Sequence, residues 1–278
     1  MRDNEERFAP PSSDDGATAN TQSSGLEFSV PTEIVELPSK GRFYPPDHPL
    51  HGKDSIEIRF MTAKEEDILT SKALIKKGVA IDRMLQNLIL DKGVKVEELL
   101  LGDKNAITIA ARISGYGEDY EIVVTCPSCE EKQKHKFDLL NIENVKQEDI
   151  DSLPVKNNGD GTFTTTLFKT NREVTFRLLT GKDETEIVRS MSDKKITREE
   201  RNSTTQLKRV LVAVEGQTDR KLIENFVDSL PVIDAKILRN LLKKLTPDVD
   251  MRQEFECSSC GHEEEVEIPF TVEFFWPK

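Results

Sequence analysis

No stretch of this sequence reaches the roughly 18 apolar residues of a membrane-spanning helix, and the residues before position 30 have no apolar signal-peptide core. A cytoplasmic protein without a membrane partner is the expectation, in a compartment where thiols stay reduced. Histidine is scarce, with four in 278 residues, and tryptophan occurs once. The phosphate-cradling GxxxxGK[ST] loop, the nucleophile motif GxSxG and the metalloprotease helix HExxH are all missing. Few acid–base groups and no nucleophile motif predict a protein that is not an enzyme. A positive surplus is missing too: 39 Lys and Arg stand against 51 Asp and Glu, a net charge of −12. Neutralising a phosphate backbone needs the opposite balance, so nucleic acid is not expected as a main partner. Apolar residues make up 36% and charged residues 32%, which fits modest cores under a well-solvated surface.

Residues 1–30 are rich in Ser, Asp, Pro, Asn and Thr and nearly devoid of apolar side chains, the composition of a disordered tail. The rest of the chain is written twice. Ile56–Glu66 (IEIRFMTAKEE) and Val174–Glu184 (VTFRLLTGKDE) each pass from alternating apolar residues, a strand signal, to Thr-x-x-acid, a helix start. Leu37-Pro38-Ser39-Lys40 pairs with Leu153-Pro154-Val155-Lys156 as the opening of each copy. Ile81–Leu90 and Leu207–Gly216 read as matching apolar helices. Asp103 precedes Cys126 by the same 23 residues that separate Asp234 from Cys257, and each Asp reads as a helix N-cap. The second copy carries an extra charged stretch, Met191–Thr204. The expected fold is α+β: two tandem related α+β repeats, 31–145 and 146–278, joined by a shared zinc-ribbon-like four-cysteine site. Asn157–Gly161 reads as a hairpin turn rather than a calcium loop.

All four cysteines lie in two CxxC knuckles, Cys126-Pro127-Ser128-Cys129 and Cys257-Ser258-Ser259-Cys260, each flanked by strand-like segments. This spacing turns two sulfurs toward one ion, and two knuckles complete a tetrahedral Cys₄ zinc site with no position left for water or substrate. One structural Zn²⁺ is therefore expected on Cys126, Cys129, Cys257 and Cys260. Sites that recruit His135 or His262 are the alternative, as are disulfides. His48 and His51, in YPPDHPLHG, read as solvated. The last residues, Val272–Lys278, crowd three aromatics, suited either to the core or to a partner's pocket. Lys132, Lys134 and Lys136 beside the first knuckle support a rival function, a zinc-ribbon adaptor of transcription or translation contacting RNA or polymerase.

The LPSKGRFYP opening, IRFMTAKEEDILTS, the segment ARISGYGEDYEIVVTCPSC and the late second knuckle before an FF-P ending together resemble the baseplate proteins of T-even-type contractile-tailed bacteriophages, over about residues 30–278. That resemblance implies a non-enzymatic hub component or hub assembly factor whose partners are other phage baseplate proteins. It implies residence in the host cytoplasm during assembly and a place in the tail baseplate, and it carries no catalytic residue.

Overall fold

The structure, a computed structural model, describes residues 29–192, 198–268 and 272–275. Nearly all of the expected tail, the centre of the charged stretch after Met191 and Trp276 lie outside the described residues. Pro31 to the C-terminus forms one compact unit.

The first half opens with an antiparallel pair, β1 (Thr32–Glu36) and β2 (Ser55–Arg59), joined by the loop 37–54. Short helices α1 (Ala63–Thr70), α2 (Lys72–Lys76) and α3 (Ala80–Leu88) follow, then the long helix α4 (Leu101–Tyr116). Helix α4 is buried nearly all round and ends at Gly117, whose φ of 83° is a conformation only glycine adopts freely. A hairpin of β3 (Asp119–Thr125) and β4 (Lys132–Asp138) carries the first knuckle at its tip, and β5 (Glu143–Asn144) closes the half.

The second half builds a four-stranded antiparallel sheet from β6 (Lys156–Asn157), β7 (Thr162–Thr166), β8 (Glu173–Arg177) and β9 (Leu211–Val214). Asn158–Gly161 makes the tight turn between β6 and β7, with Gly159 and Gly161 at positive φ. Helices α5 (Gly181–Ser192) and α6 (Arg198–Val210) connect β8 to β9, and α7 (Arg220–Asp228) and α8 (Val232–Leu245) follow. Strand β10 (Val249–Asp250) pairs with β5 of the first half, and the hairpin β11 (Arg252–Glu256)–β12 (Glu263–Glu267) carries the second knuckle.

Three local readings are corrected. The segment Leu207–Gly216 is not one helix, because the helix stops at Val210 and Leu211–Val214 pairs with β8. A short apolar run fits a buried strand as well as a buried helix, and periodicity does not separate them. Asp103 and Asp234 are not N-caps; Leu100 and Pro231 hold that position, and each Asp sits two residues into its helix, fully buried. Lastly, Leu37 follows β1 whereas Leu153 precedes β6, so the residue standing where Leu37 stands is Leu167, just after β7.

With that register the two halves repeat their polar anchors. Arg59 at the end of β2 grips Glu65 of α1 through two nitrogens, at 2.9 and 2.6 Å, while the Thr62 N–H and hydroxyl also donate to Glu65. Arg177 at the end of β8 grips Asp183 of α5 at 2.6 and 2.8 Å, with Thr180 donating in the same way. A fork-shaped guanidinium holding a planar carboxylate fixes the angle between strand and helix. Asp103 accepts from the Ser39 N–H and hydroxyl after β1, and Asp234 accepts from the Lys169 and Thr170 N–H groups after β7.

The halves share one hydrophobic core. Phe43 of the first packs on Phe163 of the second, 5.7 Å between ring centres. Leu100 forms a β-bridge with Thr180, and Lys104 reaches both Asp82 (2.7 Å) and Glu184 (2.9 Å). Near the C-terminus, Phe274 and Phe275 are buried, which settles those two aromatics as core. The Phe274 carbonyl accepts from Arg112 Nε at 2.8 Å, and the same guanidinium donates to the Gly117 and Asp119 carbonyls.

Candidate metal centre

Each knuckle is a hairpin tip with the same backbone closure. In the first, Cys126 N–H donates to the Glu131 carbonyl and Glu130 N–H returns to the Cys126 carbonyl, both at 2.9 Å. In the second, Cys257 N–H donates to the His262 carbonyl (2.9 Å) and Gly261 N–H to the Cys257 carbonyl (2.8 Å). The fourth residue after each first cysteine is left-handed, Glu130 at φ 60° and Gly261 at φ 68°. That turn points the knuckle N–H groups inward toward the sulfurs.

The two tips meet face to face. All four sulfurs lie within 4.8 Å of one another. Cys126 Sγ is 3.8 Å from Cys260 Sγ, and Cys129 Sγ is 3.7 Å from Cys257 Sγ. None of the four is in a disulfide. A tetrahedron of metal–thiolate bonds of about 2.3 Å has edges of about 3.8 Å, so the sulfur spacing fits a metal ion. Exchanging the two knuckles maps one pair onto the other, an approximate two-fold relation at the site. Cys126 and Cys257 are buried with Phe255, against Val124 and Val266, and Cys129 and Cys260 face outward.

The thiol chemistry points the same way. N–H groups of Cys260 and Ser259 aimed at its sulfur hold the Cys257 thiol down at about 7. At Cys129 the Glu131 N–H lowers the pKa, but Cys260, burial and the other two sulfurs outweigh it and push it up to about 12. Four crowded sulfurs become thiolates together only when a cation offsets their mutual repulsion.

No histidine joins the four sulfurs among the described residues. His135 points to the inner face of β4, its ring 4.5 Å from Phe137 and 5.2 Å from Phe255. His262 lies beside Glu264 at 3.4 Å. Gln133, which the sequence reading missed, ties the tips together: its Nε2 donates to the Glu256 carbonyl and its Oε1 accepts from Ser258 N–H, both at 3.0 Å. An amide that spans two distant knuckles leaves no local pattern. The lysines beside the first knuckle are largely spoken for, with Lys134 on Glu121 at 2.7 Å and Lys136 on Asp119 at 2.6 Å. The facing hairpin presents Glu263, Glu264, Glu265 and Glu267. A phosphate backbone would meet net negative charge here, which does not favour the RNA or polymerase adaptor.

Residues 30–276 match the family described as T4 bacteriophage base plate protein, which covers most of the chain. The chain belongs to that family. It is thus a phage baseplate structural protein, of a kind that works among other phage structural proteins in the virion tail. No curated protein and no solved structure matches it. No helix among the described residues is long and apolar enough to cross a membrane.

Proposed function

We propose that this baseplate protein is a component or assembly factor of the baseplate hub, acting through protein–protein contacts, with its body closed by one structural zinc on Cys126, Cys129, Cys257 and Cys260. The family match over residues 30–276 carries the assembly reading, and the sulfur tetrahedron supports zinc, whose softness and lack of geometric preference suit four thiolates. When bound, the ion would supply cross-linking and charge neutralisation, while the knuckle N–H groups orient the sulfurs. The protein would do no chemistry of its own. It would be assembled in the host cytoplasm.

We read the chain as a tandem duplication, 31–145 and 146–278. The repeated Arg–Thr–acid clamps, the paired buried aspartates and the identical knuckle closures support that reading. Mass spectrometry of purified mature particles against assembly intermediates tests the hub role: the protein should appear at fixed stoichiometry in hub-containing intermediates, and its absence from both would overturn the proposal. Metal analysis should give one zinc per chain; two would mean separate sites.

A further inference from the structure

The two halves repeat the same anchors, yet one contact between them has no counterpart among the described residues. In the first half, Leu99–Leu101 runs into α4 and is covered by the second half. Leu101 N–H donates to the Leu179 carbonyl at 3.2 Å, Gly181 N–H donates to the Leu99 carbonyl at 2.9 Å, and Leu100 and Thr180 form the bridge between them. Pro247 then crosses so close to Gly102 that an added Cβ would stand 1.9 Å from its carbonyl oxygen.

The equivalent of Leu99–Asp103 in the second half is Leu230–Asp234, ungapped up to the buried aspartate. Leu230 packs on the core and Asp234 is buried, but among the described residues no bridge forms at Pro231 or at Thr62. In place of buried Gly102 stands Ile233, 48% exposed, flanked by Val232 at 79% and by Phe168 at 76% on the loop held by Asp234. Three large apolar side chains around one helix start are an exposed patch of the kind that marks an interface. The piece that would cover it also exists. Met61–Thr62–Ala63 occupies the place in the first half that Leu179–Thr180–Gly181 occupies in the second, between the strand arginine and the helix acid. It is partly exposed and unbridged.

We infer that this chain associates with a second copy head to tail, Met61–Ala63 of one molecule lying along Leu230–Val232 of the next, against Phe168 and Ile233. The contact repeats between molecules the strand addition already made once within each. It joins two different surfaces, so it is heterologous and builds a ring or an open filament according to its rotation. One difference sets its strength. Gly181 passes the Val96 carbonyl with room for no Cβ (2.8 Å), whereas in the proposed contact Ala63 would bring a methyl group to the matching carbonyl of Val227.

The inference rests on the equivalence of the halves and not on the hub assignment. Sedimentation velocity of the full-length, zinc-loaded protein over a hundredfold concentration range should show reversible self-association. Ile233→Glu and Phe168→Glu, both at exposed positions, should weaken it about tenfold or more by placing a charge in an apolar contact, with unchanged circular dichroism. Ala63→Gly should strengthen it. A photo-reactive phenylalanine analogue replacing Lys64 should cross-link to peptides within 166–170 or 230–236 of another copy. A monomer at every concentration, association unchanged in both Glu variants, or cross-links confined to other surfaces would each overturn it. So would finding this face occupied by a different baseplate protein instead of a second copy. None of these results touches the particle mass-spectrometry test of the hub role.

Discussion

Ser39 donates both its backbone N–H, at 2.9 Å, and its hydroxyl, at 2.6 Å, to the carboxylate of Asp103, 64 residues away and fully buried. Tyr44 adds its hydroxyl at 2.8 Å. The loop after β1 is thereby fastened to the start of the central helix. Asp234 does the same work for the loop after β7, with a different donor set: Lys169 N–H on one oxygen, Thr170 N–H and hydroxyl on the other.

That difference predicts unequal costs for the same substitution. An asparagine at 103 can turn its amide toward Ser39 Oγ and Tyr44 OH, oxygens that already accept from the Gly41 and Leu100 N–H groups and keep a second lone pair. At 234 either orientation sets an NH₂ against a backbone N–H that cannot reverse. Asp103→Asn should therefore cost about 1 kcal/mol and Asp234→Asn about 2–3 kcal/mol. Urea unfolding of both variants checks the order; a larger loss at 103 would contradict it.

Acid should weaken the fold through the two clamps. Burial raises the pKa of Glu65, but hydrogen bonds from Arg59 and Thr62 outweigh it and hold it at about 2. Asp183, also opposed by burial, is held below its ordinary value by Arg177 and Thr180. A depressed folded pKa means stability that is complete above the unfolded value, roughly 4, and lost as pH falls through the folded one. Burial raises Asp103 despite its donors, so it works in the opposite sense. Urea midpoints should fall on acidification below roughly pH 4, less steeply in Arg59→Met; the stabilisation that Asp103 gains on protonation comes above roughly pH 4 and should be lost in Asp103→Asn.

Removing a thiol should loosen the whole body. In the proposed shared site each knuckle contributes half of the ligands, so Cys260→Ser or chelation should lower the melting temperature of a single cooperative transition, with release of one metal ion per chain. Separate melting of one half, the other intact, would rule out the shared site. Gln133→Leu, which cuts the amide bridge but keeps the sulfurs, should weaken metal retention by about tenfold.

Where Pro247 crosses Gly102, the chain has no space to give. Gly102→Ala must push one half's backbone off the other and should cost about 1–3 kcal/mol. At Gly52, where an added Cβ meets nothing, Gly→Ala carries only the strain of a positive φ. Thermal melts of the two variants compare the terms directly.

Features that depend on short spacing are legible from the residues alone. Two sulfurs three positions apart make a knuckle, Thr-x-x-acid after an alternating strand starts a helix, and an equal interval from Asp to Cys recurs in the two halves. Asn and Gly between strands make a turn. What those residues meet depends on how distant segments pack. Asp103 looks like a helix cap because capping is the local use of an aspartate; its real donors come from Ser39 and Tyr44, brought near by the fold. Leu211–Val214 became a strand because β8 offered an edge, which no periodicity records. The match of Leu37 to Leu167 emerged once strands could be paired in space, since the loop behind β1 runs over 37–54 and the one behind β7 only over 167–172. Burial joined the two halves into one core, and it left Phe168, Val232 and Ile233 of the second half exposed while Pro38 and Gly102 of the first are buried.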